Sequence, residues 1–329
     1  MGENALVLQV LLITFPFFAL VLAGYLAARR GLLRLDAIPG LNGFVLYFAL
    51  PCLLFRFGSA TPVAQLLNPS VALTYLLCAL VIVGFVVAVS MNRRIGWNDA
   101  AFGALVAAFP NTGFMGVPLL VALLGDAAAG PAIATIMVDL IVTSSLCVAL
   151  SRLDGADEHG FARATKNAFR GVLVNPMPWA IVLGAAASAV RLQLPTPVLQ
   201  TLGLLADAAS PVALFTIGAV LARSQMLAAS TAPVLPLRDY VPVAFIKLVL
   251  HPLLVLLVGV AAIQLGVPLE RFALTVIVLV AALPSASNVT LLAEKFGADN
   301  GRIARIVLVS TAAAFLSFSA AVSLLIDKA

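Results

Sequence analysis

Ala107-Ala108-Phe109-Pro110-Asn111-Thr112-Gly113-Phe114-Met115-Gly116-Val117-Pro118 stands in the middle of an apolar run reaching from residue 99 to residue 124. A helix needs about 20 apolar residues to cross the hydrocarbon core of a bilayer, and this run supplies them. Inside it, Pro110 removes a backbone donor and its ring collides with the carbonyl four residues back. Gly113, Gly116 and Pro118 weaken the helix further. The stretch predicts a helix interrupted at the bilayer centre. Open backbone at that depth is tolerated only inside protein or against a water-filled cavity.

A second stretch in the other half of the chain follows the same logic. Ala282-Leu283-Pro284-Ser285-Ala286-Ser287-Asn288-Val289-Thr290 places a proline, three hydroxyls and an amide within the apolar run 271–296. Polar side chains inside a membrane are expensive and mark function by default. Two interrupted helices that cross would bring their half-helix ends together at the midplane, where amino-terminal ends carry partial positive charge suited to a carboxylate. Asn111 and Asn288 would add amide donors and acceptors. The plain alternative is that Asn, Ser and Thr simply bond neighbouring helices.

Composition places both stretches in lipid. Of the 329 residues, 63% are hydrophobic and 10% charged, against about 45–50% and about 25% in a soluble domain. So few charges cannot build a water-facing surface. The net charge of +5 sits in short gaps between apolar runs, so it reads as membrane topology and not as a nucleic-acid surface. Cys52, Cys78 and Cys147 lie in apolar runs without metal-site spacing and read as packing residues. No metal site and no organic cofactor is expected.

Ten spans follow from the runs: 5–28, 37–57, 70–91, 99–124 and 129–150, then 172–190, 197–222, 239–264, 271–296 and 303–326. The opening residues carry Glu3 and no base, unlike a secretory leader, so 5–28 reads as the first span. Alternate loops divide the basic residues unequally. One set holds Arg29, Arg30, Arg34, Arg93, Arg94, Arg152, Arg163, Lys166, Arg170, Arg223, Arg238, Lys295, Arg302 and Arg305; the other holds Arg191, Arg271 and Lys328. The positive-inside rule then puts both termini outside and the 151–171 loop in the cytoplasm.

That loop divides the chain into a first five-helix unit, 1–150, and a second, 172–329, with 151–171 as linker and His159 as a solvated loop residue. The units echo each other. PCLLFRFG (51–58) and PVALFTIG (211–218) both fit P-x-x-L-F-x-x-G at the same ordinal position, and the interrupted spans are fourth in each unit. Five helices per unit require the second to be inserted upside down, the inverted repeat of many secondary transporters. The fold expected is all-α and integral to the membrane. The bland alternative is that prolines merely kink packed helices.

Ionisable residues within spans are few. Asp139 lies near the middle of the fifth span, Asp207 in the seventh, and Lys247 and His251 one turn apart in the eighth. Arg56 lies near a span end, where it can snorkel. Asp139 is a candidate to carry a proton or help hold a cation. Lys247, with His251, is a candidate to stand in for a coupling cation or to pair with Asp139. A Lys247 that snorkels and an Asp207 that pairs internally are the structural alternatives.

The motifs FPNTGFMGVPLL (109–120) and ALPSASNVTLLAEKFG (282–297), with the two P-x-x-L-F segments and the short central loop, resemble the bacterial auxin efflux carrier family, distant relatives of the plant PIN-FORMED exporters. The resemblance implies a ten-helix carrier of two inverted repeats, similar to bile-acid symporters and sodium/proton antiporters. Helices 3–5 and 8–10 would form a mobile core, with helices 1, 2, 6 and 7 as a scaffold and homodimer interface. Transport would proceed by elevator-type alternating access in the bacterial inner membrane. The expected solute is a small organic anion, malonate- or malate-like or an auxin-like acid. It would be held by Pro110, Asn111, Thr112, Gly113, Pro284, Ser285, Ser287 and Asn288, with sodium or a proton as coupling ion. An uncoupled facilitator or channel is the other reading. The long cytoplasmic loop of the plant members is missing. No HExxH, GxSxG or Walker A pattern is present, which argues against an enzyme and against direct use of ATP.

Overall fold

The computed structural model describes residues 3–153, 170, 173–231 and 235–326. Most of the 151–171 loop, including His159, Arg163 and Lys166, and Lys328 near the end lie outside the described residues. The described chain is helical, and its one β-type pairing is an isolated bridge. We number the helices that matter as follows: α1 Glu3–Arg29, α2 Ile38–Ala60, α3 Pro69–Ser90, α4 Trp97–Ala108, α5 Thr112–Leu124, α6 Asp126–Leu150, α7 Pro176–Ala189, α8 Thr196–Thr231, α9 Val241–Gln264, α10 Arg271–Ala282, α11 Val289–Lys295 and α12 Asn300–Ile326.

Among the described residues seven helical stretches are long and apolar enough to cross a membrane, and three shorter apolar helices, α5, α7 and α10, accompany them. Large apolar side chains such as Phe15, Leu73, Leu204, Leu257 and Leu316 point outward, as expected where the surrounding solvent is lipid. Two of the ten expected spans are not single helices. The run 99–124 is divided into α4 and α5, and 271–296 into α10 and α11, because each proline leaves carbonyls without their helical donor. Pro16 and Pro211 sit inside α1 and α8 without ending them. The 197–222 expectation was short: α8 continues to Thr231.

Glycine contacts fix how α1, α2, α7 and α8 pack. A Cβ on Gly24 of α1 would stand 1.8 Å from the Phe215 carbonyl oxygen of α8, and one on Gly218 of α8 would stand 1.8 Å from the Val21 oxygen of α1. In the same way a Cβ on Gly184 of α7 would fall 2.8 Å from the Phe55 oxygen of α2, beside Gly58. Backbones approach this closely only where no side chain intervenes. Each P-x-x-L-F-x-x-G segment thus seats its phenylalanine carbonyl on a glycine: Phe55 against α7, Phe215 against α1.

Around the interrupted helices, α3 packs on α4, α6 and α9, and α9 packs on α10. Arg302, expected in a loop, is buried at the start of α12 with 2% exposure. Its Nε donates to the Asp239 carbonyl (2.7 Å) and its Nη1 to the Asp99 carbonyl (2.8 Å). It thereby joins the starts of α4 and α12 to the turn before α9. Gly103 leaves room for it, since a Cβ there would lie 2.8 Å from Nη1.

Candidate functional site

The two interruptions meet. After α4 ends at Ala108, Phe109 is extended, and after α10 ends at Ala282, Leu283 is extended. The extended segments pair antiparallel: the Asn111 amide donates to the Pro284 carbonyl (2.8 Å) and the Ala286 amide to the Phe109 carbonyl (3.0 Å), bridging Pro110 and Ser285. Polar backbone that the prolines would leave open is therefore satisfied across the crossing. The chain re-enters helix through a π turn at Thr112–Gly116, where the Gly116 amide reaches the Asn111 carbonyl (3.0 Å). On the other strand it re-enters through turns at Ser287 and Thr290 (amide to carbonyl 3.2 Å; Thr290 Oγ1 to the Ser287 carbonyl 2.7 Å).

All eight residues expected to hold solute are in this knot. Pro110, Asn111, Thr112, Pro284, Ser285 and Ser287 are buried, and Gly113 and Asn288 are half-buried. A cavity of about 760 Å³ reaches the knot from one side. Of the eight, Asn288 lines it, beside Phe109; its Oδ1 has no partner, and neither has the Ser285 Oγ beneath. Among the described residues the wall carries Arg152, Arg170 and Lys295 and no carboxylate. It also carries Ser144 and Ser145 of α6, which sequence reasoning missed; the polar run Thr143-Ser144-Ser145, one turn after Asp139, was the signal. The Ser144 Oγ is used, donating to the Asp139 carbonyl (2.6 Å), whereas the Ser145 Oγ is unpartnered. Phe296 anchors the mouth: its carbonyl accepts from Arg152 Nη2 (3.1 Å) and Asn98 Nδ2 (3.2 Å), and the Arg152 and Lys295 cations lie over its ring. A smaller cavity, lined by Arg56, Gln65 and Asp126 among others, sits at the far end of α5 and contains none of the eight.

The intramembrane charges form a separate buried group behind the crossing. Asp139, Lys247 and His251 are each 0% exposed. Asp139 accepts from the Tyr75 hydroxyl at Oδ2 (3.0 Å) and from Thr143 Oγ1 at Oδ1 (3.1 Å). Lys247 Nζ donates to the Ala281 carbonyl (2.5 Å) and lies 3.5 Å from His251 Nδ1. Lys247 therefore neither snorkels nor forms a direct ion pair with Asp139. It caps the carboxyl end of α10, whose Ala281 carbonyl has lost its helical donor because the Ser285 amide turns to Ser310 Oγ (3.3 Å). Asp207 pairs with Arg56 (2.6 Å) at an exposed edge between α8 and α2.

The family model described as membrane transport protein matches residues 9–322, nearly the whole chain. The chain belongs to this family. The membership bears out the resemblance to the auxin efflux carriers and makes the protein a multi-pass membrane transporter, not an enzyme. Among its relatives is a protein named "Putative malonate transporter" from Rhizobium meliloti (strain 1021), 29% identical over 302 residues, covering 91% of this chain and 90% of that one. Another is "Uncharacterized transporter YfdV" of Escherichia coli (strain K12), 29% identical over 289 residues, covering 85% and 86%.

Proposed function

We propose that the protein is a secondary active transporter of small organic anions, malonate- or malate-like carboxylates or auxin-like acids, in the bacterial inner membrane. One observation carries this reading: among the described residues, a cavity that ends on Asn288 and Phe109 of the crossing has three cations and no carboxylate in its wall. Such a wall concentrates anions and repels cations. Asn288 is the solute's contact on the cavity side, Asn111, Thr112, Gly113, Ser285 and Ser287 complete the site beneath it, and Pro110 and Pro284 interrupt the helices there. The printed name of the Rhizobium relative agrees with a dicarboxylate.

The chain is read as ten spans in two inverted five-helix repeats, 1–150 and 172–329, with both termini outside and the 151–171 linker in the cytoplasm. Two pairs of like features favour it. Each unit interrupts its fourth span at a proline, and each P-x-x-L-F-x-x-G segment rests its phenylalanine carbonyl on the first helix of the other unit. Helices α1, α2, α7 and α8, knit by glycines, are the scaffold and the surface for a homodimer; α3–α6 and α9–α12 are the moving core of an elevator. Asp139, Lys247 and His251 handle the coupling ion, sodium or a proton, Lys247 standing where an external cation would otherwise cap α10.

Uptake of labelled malonate into proteoliposomes tests the reading. Accumulation above the outside concentration under an imposed ion gradient is expected. Uptake that only equilibrates, under every gradient, would make the protein a facilitator.

A further inference from the structure

We propose that the coupling ion is the proton, and that Tyr75 is the positioning residue linking the proton-holding carboxylate, Asp139, to the Lys247–His251 pair and so to the interrupted end of α10. This rests on the transporter reading above and specifies its driving ion.

Asp139 is the one carboxylate that is buried among the described residues. Both its oxygens receive hydrogens, from Tyr75 and Thr143, which is the pattern of an ionised, acceptor-only group. A hard cation would need about six oxygen ligands free to point at it. Here the Tyr75 and Thr143 hydroxyls aim their hydrogens at the Asp139 oxygens, an arrangement a cation seated between them would have to turn. The freed carbonyl of Ala281, the kind of oxygen such a cation would use, is filled by the Lys247 ammonium. A proton needs one carboxylate and no such shell, and Asp139 supplies it, which favours the proton over sodium.

Tyr75 connects the two halves of the buried group. It is 0% exposed, bonds Asp139 by its hydroxyl, and its ring lies 5.9 Å from the His251 ring. His251 Nδ1 faces the Lys247 ammonium, so it accepts, and His251 Nε2, buried, has no partner at all. Asp139 and Lys247 both sit in π turns, Asp139–Thr143 and Ile246–Leu250, irregularities that recur at functional sites. The titratable groups facing Asp139 are Tyr75 from α3, Cys147 from its own helix and Lys247 from α9; Cys78 stands beside Tyr75 and His251 beside Lys247. The α4, α5 and α10 segments packed against α6 bring no charged side chain there.

When Asp139 takes up a proton, one O–H bond forms and the carboxylate becomes a neutral acid that must itself donate. The Tyr75 oxygen beside Oδ2 is then the acceptor, and the phenol must withdraw its own donation. Loss of that negative charge leaves the Lys247 ammonium without its balancing group while it still holds Ala281. Release of the proton to the other aqueous side restores the starting arrangement.

The test uses full-length protein in proteoliposomes with labelled malonate. An inward proton gradient without sodium should drive accumulation, and a sodium gradient at equal pH should not. Tyr75→Phe and Thr143→Val, on different helices, each remove one donor from the carboxylate. Each should move the pH midpoint of uptake by about one unit to higher pH, because the ionised form loses support. Accumulation driven by sodium, accumulation driven by neither gradient, or profiles of both variants superimposed on wild type would overturn the proposal. Malonate-for-malonate exchange by wild type at equal pH reads the anion site alone. Exchange at equal pH with no accumulation under the proton gradient defeats only this inference, whereas absent exchange defeats the solute reading and this inference with it.

Discussion

The Asn111 amide lies 2.8 Å from the Pro284 carbonyl, so the break in one half of the chain is closed by the break in the other. Neither interruption is stable alone, since each would leave backbone groups unpaired in an apolar interior. The bonds from Asn111 and Ala286 make the two prolines one structural unit and set the cavity floor on it.

Asn288 and Asn111 are expected to respond differently to truncation. Asn288 lines the cavity, and Asn111 is 3% exposed beneath it. Asn288→Ala should raise the KM for malonate uptake about tenfold or more, the loss of one or two hydrogen bonds to a charged solute. Asn111→Ala should act mainly on the maximal rate and on thermal stability. Initial-rate uptake with melting curves separates the two; equal KM effects would contradict the assignment of Asn288 as the contact.

Glycine substitutions report on the scaffold packing. Gly24→Ala and Gly218→Ala place a methyl on a neighbouring backbone and should each destabilise by about 1–3 kcal/mol, seen as a lower Tm of the detergent-purified protein. Gly84→Ala, where a Cβ meets nothing, should leave the Tm unchanged.

Asp139→Asn should abolish accumulation while expression and membrane insertion stay normal. The amide keeps the shape and the acceptor oxygen for one of the two hydroxyls but cannot exchange a proton. Lys247→Met should lower stability as well, because the Ala281 carbonyl is left buried without a donor, at about 1–3 kcal/mol. Unchanged pH and sodium dependence in Asp139→Asn would remove Asp139 from the mechanism.

Arg302→Lys tests the tie at the starts of α4 and α12. A single ammonium cannot keep both the Asp239 and Asp99 carbonyls in the geometry the guanidinium spans. A loss of about 2 kcal/mol in stability is expected, measured by thermal melting; Gly103→Ala should weaken the same contact.

Much of this was legible in the sequence because the signals were local. Proline followed by small polar residues inside an apolar run announced both breaks, and P-x-x-L-F-x-x-G marked two like segments whose glycine packing shows only in the structure. The membrane transporter class followed from those motifs and from composition. What was not legible depends on three-dimensional register. Nothing local says that Pro110 faces Ser285, that Asn288 lines the cavity while Asn111 lies beneath it, or that Lys247 caps Ala281 and makes no direct ion pair with Asp139. Nothing local marks Tyr75, which stands in a stretch, 57–92, without a charged residue, and Arg302 reads as one more topology-setting base. Both acquire roles only from partners tens or hundreds of residues away.

Equilibrium binding of labelled malonate to purified wild-type protein and to Asn288→Ala tests the central claim most directly. Saturable binding by wild type that weakens at least tenfold in the variant, with the variant's fold intact by melting curve, is the predicted result. Equal affinity in the two proteins would contradict the placement of the solute at the crossing.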